Sequence, residues 1–351
     1  GLEAVSFDVK VIAENITIPS SKITIEPYKG FEFEKISKDL VGNSRAKNNC
    51  IGAFASTNIK DPQILDRSKY GPSWYSVEAE APEPKTLAVD NAENLQSKIN
   101  EANNGDIVLL EAGNYEIQKS LIINKKLTIQ SSDKSKVVLN YSGGENSPLF
   151  ELQPKGFLNL KNVTLKGNNS HYAFASLKEN MFTHFGLTIA DCDISDFNYV
   201  LKVYKESFAE HISFENISIS NCENGLELSE ETNDLGDYNT EYLTINNCRF
   251  SNVKSSVIDY YRGGYDESTI GGNLLVTNST FTNCGAQEKS GILINSHGIV
   301  NVDISNNTFK NNPVKMVALL WGAKNNSHSD NQINNSGEIR VEENLEMKLM
   351  Y

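Results

Sequence analysis

Long hydrophobic runs are missing from this sequence of 351 residues. A helix that crosses a bilayer needs about 20 apolar residues in succession, so the sequence predicts no membrane-spanning helix. The first residues, GLEAVSFDVKVIAEN, also lack a basic segment followed by an apolar stretch, and we expect no signal peptide there. A chain whose leader had been removed would look the same, so secretion stays open.

Clusters of positive charge are also missing. The chain carries 32 Lys and Arg against 45 Asp and Glu, a formal net charge of −13. Such a chain is repelled by nucleic acid and by anionic membranes unless a local basic patch overcomes the field. The same repulsion acts on a polyanionic sugar, so an acidic polysaccharide would have to be held by local contacts.

Cysteine is sparse, with five residues at Cys50, Cys192, Cys222, Cys248 and Cys284. This odd, small number is not a disulfide framework, and no CxxC pair indicates zinc. Cys192 and Cys248 share one position of the repeat described below, two copies apart, and Cys222 and Cys284 share another. Two rungs of a stacked sheet lie about 9–10 Å apart, beyond the disulfide limit of about 7 Å. We therefore predict small buried hydrophobic side chains rather than redox or metal-binding thiols.

A short motif recurs from residue 158 onwards. Its copies NVTLKG, DCDISD, NISISN, NCRFSN, NSTFTN and NNTFKN start at positions 162, 191, 216, 247, 278 and 306. One such coil cannot bury its apolar residues alone, so coils stack about 4.8 Å apart and share a core. The sequence therefore predicts an all-β fold, a right-handed parallel β-helix. The fourth residues should form an internal column: Leu165, Ile194, Ile219, Phe250, Phe281 and Phe309. The last residues should form a ladder at a turn, where asparagine tolerates left-handed backbone: Asp196, Asn221, Asn252, Asn283 and Asn311.

Proline and glycine mark where the chain divides. The stretch 61–84 contains Pro62, Gly71, Pro72, Pro82 and Pro84. Because proline cannot donate a ladder hydrogen bond, this stretch is predicted to be a loop-rich connection. We expect residues 1–50 to be the β-rich tail of a preceding β-helix domain, 51–87 a linker, and 88–351 the β-helix domain.

A short helix is expected to cap the first coil of that domain, which would otherwise expose its core and an unpaired strand edge. Asp90 or Asn91 can serve as the N-cap, and Leu95, Ile99 and Ala102 form its apolar side.

One insertion interrupts the repeat after its fourth copy: VIDYYRGGYDESTIGG, residues 257–272. We expect it to project from the outer wall, where arginine would offer a planar fork to a carboxylate and tyrosines would contact sugars. The alternative is a loop whose arginine and acids pair with one another to hold a turn. The predicted sugar contacts are Tyr260, Tyr261, Arg262, Tyr265, Asp266 and Glu267.

Two further features carry possible site chemistry. His297, in NSHGIVN one coil later, is either a glycan contact or proton carrier, or a turn residue. The acidic run 228–241 could bind calcium through its oxygens, but its spacing does not match an EF-hand loop, and a solvated loop is the favoured interpretation. We predict no metal ligands.

The stretch YRGGYDESTIGG, followed one coil later by GILINSHGIVNVDISNNTF, resembles the C-terminal β-helix of polysaccharide lyase family 6. That family comprises alginate lyases, with chondroitinase B as a relative. GPSWY, residues 71–75, resembles the join between the family's two β-helices, and the resemblance covers about residues 50–351. It implies β-elimination of uronate polymers by a lysine and an arginine on the N-terminal β-helix, with calcium held by nearby acids in the complete enzyme.

The family's catalytic context combines acids before a Lys-Ser pair with an Arg-His-Gly turn one coil later, and this chain lacks that combination. The surroundings of Lys22 and Lys38 do not match it either. The resemblance thus implies the substrate-cleft half of a bacterial, secreted or periplasmic alginate lyase, without a cofactor of its own. Its partners would be an acidic polysaccharide and an N-terminal catalytic domain or chain, not nucleic acid or membrane. The alternatives are a non-catalytic carbohydrate-binding or adhesin-type β-helix, and a glycoside hydrolase or epimerase on the same fold.

Overall fold

The computed structural model describes residues 9–13, 16–19, 37–40, 42–45, 54, 83–230, 239–262 and 271–342. The chain divides into two compact units, Gly1–Pro82 and Glu83–Tyr351. In the first unit, β1 (Val9–Ala13) and β2 (Ile16–Pro19) pair antiparallel. The pairing of these two strands therefore differs from the parallel pairing of β-helix coils. Most of the β-rich tail predicted for residues 1–50 lies outside the described residues.

The second unit is a parallel β-helix whose chain visits three sheets in turn. Strands β3–β30 are numbered in chain order. Sheet 1 contains β3 (Thr86–Val89), β4 (Ile107–Leu110), β7 (Lys126–Ser131), β10 (Phe157–Lys161), β13 (Phe185–Ala190), β16 (Ala209–Glu215), β19 (Thr240–Asn246), β22 (Gly271–Thr277), β25 (Ile299–Ser305) and β28 (Asn325–Ser327). Sheet 2 contains β5 (Gly113–Ile117), β8 (Val137–Tyr141), β11 (Thr164–Lys166), β14 (Asp193–Ser195), β17 (Ser218–Ser220), β20 (Arg249–Ser251), β23 (Thr280–Thr282), β26 (Thr308–Lys310) and β29 (Gln332–Asn334). Sheet 3 contains β6 (Leu121–Ile123), β9 (Pro148–Leu152), β12 (Tyr172–Ser176), β15 (Tyr199–Lys202), β18 (Asn224–Leu228), β21 (Ile258–Tyr261), β24 (Ile292–His297), β27 (Met316–Trp321) and β30 (Glu338–Glu342).

The predicted internal column is confirmed. The fourth residues of the six motif copies lie opposite one another in the parallel register of sheet 2, and each is buried. Phe281 stacks between Phe250 and Phe309, with ring centroids 5.0 and 4.8 Å apart. Because strand side chains alternate between two faces, the same register sends the neighbouring residues of each coil to the outer surface.

The predicted ladder is also confirmed, because its five residues have φ between 54° and 62°. Some of the asparagines bond between coils: Asn252 Nδ2 donates to Asn221 Oδ1, and Asn335 Nδ2 donates to Asn311 Oδ1, each at 3.1 Å. The first residue of each copy is left-handed too, which we did not predict, with φ between 51° and 60°. In the last five copies, the short strand of sheet 2 is therefore bounded by two left-handed corners.

Replacing Asn283 by alanine is expected to lower the free energy of unfolding by about 1 kcal/mol, since left-handed backbone costs most L-residues about 1–2 kcal/mol. Its φ is 55°. Glycine has no such penalty, so Asn283→Gly should lose less in the same urea titration. Equal losses in the two variants would show that contacts of the asparagine side chain, and not the backbone conformation, stabilise the corner.

The capping helix forms as predicted. Helix α1 (Ala92–Glu101) has Asn91 as its N-cap, and the Asn91 side chain accepts from the Asn94 backbone N–H at 3.0 Å. Leu95 and Ile99 are buried against the first coil. Strand β3 precedes the helix, and the predicted domain start at residue 88 falls inside that strand.

The cysteines are small buried side chains, as predicted. Cys192, Cys222, Cys248 and Cys284 are free thiols. Burial raises the pKa of Cys192 and Cys222 to about 12 and that of Cys248 and Cys284 to about 11. These thiols are therefore protonated at neutral pH. Cys50 lies outside the described residues.

No helix in the described part of the chain is long and apolar enough to cross a membrane.

Candidate functional site

Three aromatic rings form a stack on the outer face of sheet 3. Tyr261, His297 and Trp321 end strands β21, β24 and β27, and the parallel register places them opposite one another. The ring centroids are 4.7 and 4.1 Å apart, with interplanar angles of 14° and 12°. All three residues are partly exposed. The inner ring, His297, has both faces covered, so the stack is a rigid strip that presents ring edges and polar ring atoms.

His297 is the middle ring of this stack. Burial lowers its pKa below the usual value for histidine. The imidazole is therefore neutral at pH 7, when its ring nitrogens offer one hydrogen-bond donor and one acceptor but no positive charge.

A polar column runs beside the stack on the same sheet face, two residues earlier in each strand. Lys202, Glu227, Asp259 and Asn295 lie opposite one another in successive strands. Asn295 Nδ2 donates to Asp259 Oδ1 at 2.9 Å. The Ser229 hydroxyl lies 3.0 Å from Asp259 Oδ2 and 2.9 Å from Glu227 Oε1. The single hydroxyl proton of Ser229 cannot form a full hydrogen bond to both carboxylates at once. A protonated Asp259 could instead donate a hydrogen bond to the Ser229 oxygen.

Asp259 makes the stability of the protein depend on pH. Burial raises the pKa of its carboxyl above the usual value, against the opposing hydrogen bonds from Asn295 and Ser229. The folded state therefore binds the Asp259 proton more tightly than the unfolded chain, and stability from this group is lost as pH rises through the folded pKa. We expect wild-type protein to gain stability over Asp259→Asn as pH falls from about 7 towards the unfolded pKa of about 3.9. Urea unfolding of both proteins across that range measures this, and a constant difference would contradict it.

A buried cation begins the polar column. Lys202 has only 12% of its side chain exposed and is ion-paired with Glu227 and, at 2.6 Å, with Glu230. Its Nζ lies 5.1 and 5.8 Å from the ring centroids of Tyr199 and Tyr204. Burial alone would lower the pKa of Lys202, but hydrogen bonds to the two glutamates outweigh it and raise that pKa. Burial also raises the pKa of Tyr204 to about 12. At neutral pH Lys202 is therefore a charged ammonium held by the two glutamates, and Tyr204 beside it is a neutral phenol.

The structure brings together two of the predicted site residues, Tyr261 and His297. It adds Trp321, which sequence reasoning missed. The signal was present, because aligning ILINSH with MVALLW of the next coil places Trp321 at the position of His297. The other predicted contacts, Tyr265, Asp266 and Glu267, lie outside the described residues, as does most of the acidic run 228–241.

The expectation that Tyr260 and Arg262 project from the outer wall is wrong. Tyr260 is fully buried, because strand alternation sends it inward when Tyr261 faces outward, and its hydroxyl donates to Thr240 O at 2.5 Å. Arg262 is 3% exposed, and its Nη1 donates to Glu241 Oε2 at 2.7 Å. A Cβ on Gly272 would lie 2.8 Å from Arg262 Cδ. The arginine thus pairs with an acid of strand β19 and holds the end of strand β21 to it.

Metal binding finds no support in this face. Among the described residues, no group of three or more His, Cys, Asp or Glu side chains is placed to hold an ion.

Among solved structures, the chain is similar to the polysaccharide lyase family 6 alginate lyase AlyGC, with a TM-score of 0.67 and 22% identity. It is also similar to an arginine-to-alanine variant of that enzyme, with a TM-score of 0.63 and 20% identity. These matches cover 97% of this chain but only 45% and 47% of the lyase chains, so the chain spans less than half their length. At such identities the likeness shows the fold.

A search of curated protein sequences found no match. The family model described as the right handed beta helix region matches residues 149–344, which is more than half of the chain. The family model therefore agrees with the stacked parallel coils of the structure, and the chain belongs to the right-handed β-helix family.

Proposed function

We propose that this chain is the C-terminal, substrate-cleft half of a secreted or periplasmic lyase that cleaves alginate or a related uronate polymer by β-elimination. The catalytic lysine and arginine would lie in an N-terminal domain or chain outside this sequence. The observation that carries the proposal is the stack of Tyr261, His297 and Trp321 beside the polar column on one open sheet face. The fold likeness to AlyGC, whose structure is described as that of an alginate lyase, supports it.

The stack suits a sugar chain in spacing and chemistry. Adjacent rungs are about 4.8 Å apart, which is close to the length of one pyranose in an extended polysaccharide. Phenol, imidazole and indole N–H groups can hydrogen-bond sugar hydroxyls, while the ring edges cover apolar C–H surface. Because the rings are already packed on one another, little side-chain entropy is lost on binding.

Because this chain is acidic, binding of an acidic sugar also requires positive side chains beside the sugar carboxylates. On this face Lys202 is paired with Glu227 and Glu230, which offsets part of their charge. Lys178 and Lys205 are exposed at the corner that follows sheet 3, and Lys178 Nζ lies 5.9 Å from the ring centroid of Tyr204. These two lysines would receive uronate carboxylates.

Binding, and not the elimination step, is what this face supports. β-Elimination needs a cation beside the uronate carboxylate to stabilise the charge that develops in the transition state. Lys202 is already held by two glutamates. Tyr204, with its pKa of about 12, is protonated at neutral pH and therefore cannot accept a proton from the substrate.

The test is a lyase assay on alginate, with the chain alone and with the N-terminal catalytic domain or chain that the proposal requires. Unsaturated uronate product absorbs in the ultraviolet, and we expect it only when both parts are present, although the chain alone binds the polymer. Ultraviolet-absorbing product from the chain alone would overturn the assignment of catalysis to another part. Binding without turnover in either sample would instead indicate a carbohydrate-binding module, and reducing ends without absorbance would indicate a hydrolase.

A further inference from the structure

A groove on the outer face of sheet 1 is separate from the site described above. It encloses about 390 Å³, and its lining includes Lys126, Phe157, Asn159, Gly186, Thr188 and His211. Small-molecule sites commonly measure about 300–1,000 Å³, so the groove has room for a small ligand such as a sugar ring. None of its lining belongs to the aromatic stack or the polar column of sheet 3.

One side of the groove is formed where a glycine makes room for an aromatic ring. Phe157 lies opposite Gly186, and the following coil carries His211 at a strand irregularity. A Cβ on Gly186 would lie 2.5 Å from Phe157 Cδ1, so the phenyl ring lies over the glycine and forms the floor. Any larger residue at this position would displace that ring.

An aromatic pair forms one end of the groove. His211 stacks on Tyr242, with ring centroids 4.7 Å apart and an interplanar angle of 15°. The pair is exposed, with 60% of the His211 side chain and 41% of Tyr242 accessible. Since Tyr242 covers one face of the imidazole, its other face is turned towards the coil of Gly186, where the groove lies.

The remaining lining is polar. Thr128, Asn159 and Thr188 follow one another in successive strands and supply hydroxyl and amide groups. Lys126 supplies a cation at the start of strand β7. Glu210 lies at the rim, with Oε1 3.8 Å from His211 Nε2.

We propose that this groove is a second carbohydrate site, which binds one pyranose unit of a uronate chain. The Phe157 floor and the His211–Tyr242 pair contact the sugar ring, the threonine and asparagine side chains bond its hydroxyls, and Lys126 receives its carboxylate. The site goes beyond the proposed function, because it lies on a different sheet and does not depend on the lyase partner.

The test is calorimetric titration of the whole chain with an alginate trisaccharide. Wild-type protein should bind two ligands. Lys126→Gln should weaken one of the two sites about tenfold, the effect of losing a charge-assisted hydrogen bond. His211→Ala should weaken the same site roughly fivefold, as expected for one aromatic contact. Both side chains are exposed, so the fold should survive, and unchanged thermal unfolding is the control.

Trp321→Ala separates this site from the one on sheet 3. In that variant the groove should still bind one trisaccharide, and Lys126→Gln should still weaken it, even if the proposed lyase function is wrong. A single site that Trp321→Ala abolishes would overturn the groove proposal. Equal affinity for a neutral trisaccharide of glucose would overturn the role of Lys126 in recognising a carboxylate.

Discussion

Replacing Phe281 by alanine is expected to lower the free energy of unfolding by about 4 kcal/mol, within the range of large-to-small changes in protein cores. Phe281 is fully buried, and it is the middle ring of the stack with Phe250 and Phe309. Its loss would leave a cavity that the fixed spacing of the coils cannot close, since each strand on either side is held by its ladder hydrogen bonds.

Urea unfolding followed by circular dichroism measures this loss, and Phe281→Leu is the matched control. Leucine refills most of the space, so we expect it to cost about 1.5 kcal/mol or less. Alanine and leucine variants of equal stability would contradict the role of this column as shared core.

Replacing Lys202 by methionine is expected to cost about 3 kcal/mol at neutral pH, because removing one partner of a buried ion pair leaves uncompensated charge. Methionine keeps most of the side-chain volume, so the loss is electrostatic. Glu227 and Glu230, with 17% and 32% of their side chains exposed, would be left without the cation that lies between them.

A double variant identifies the origin of that loss. Adding Glu227→Gln to Lys202→Met should recover part of the stability, because one of the stranded charges is then removed. No recovery in the double variant would show that packing rather than charge is responsible.

The fold could be predicted because its determinants are local and repeated. A motif of six residues specifies a buried fourth position and a left-handed last position, and Leu165 and Asn252 take those places from that pattern alone. The N-cap Asn91 and the buried cysteines follow from equally short-range chemistry.

The candidate site could be predicted only in part, because its contacts join coils of different length. Arg262 pairs with Glu241, 21 residues earlier, and no local signal specifies that partner. Likewise, no local sequence signal indicates that Lys202 pairs with two glutamates, because the register of β15 and β18 brings them together. The inward direction of Tyr260 was available from strand alternation, once Ile258 is taken as core.

The most direct test of the central claim uses Trp321 as a reporter of polysaccharide binding on sheet 3. The chain has two tryptophans, Trp74 and Trp321, so Trp74→Phe leaves Trp321 as the sole indole. Titration of this variant with an alginate oligosaccharide should change the tryptophan emission and reach saturation at the affinity that calorimetry gives for the site on sheet 3. Emission that stays constant while calorimetry records binding would contradict the claim, because the sugar would then be held away from the Tyr261–His297–Trp321 stack.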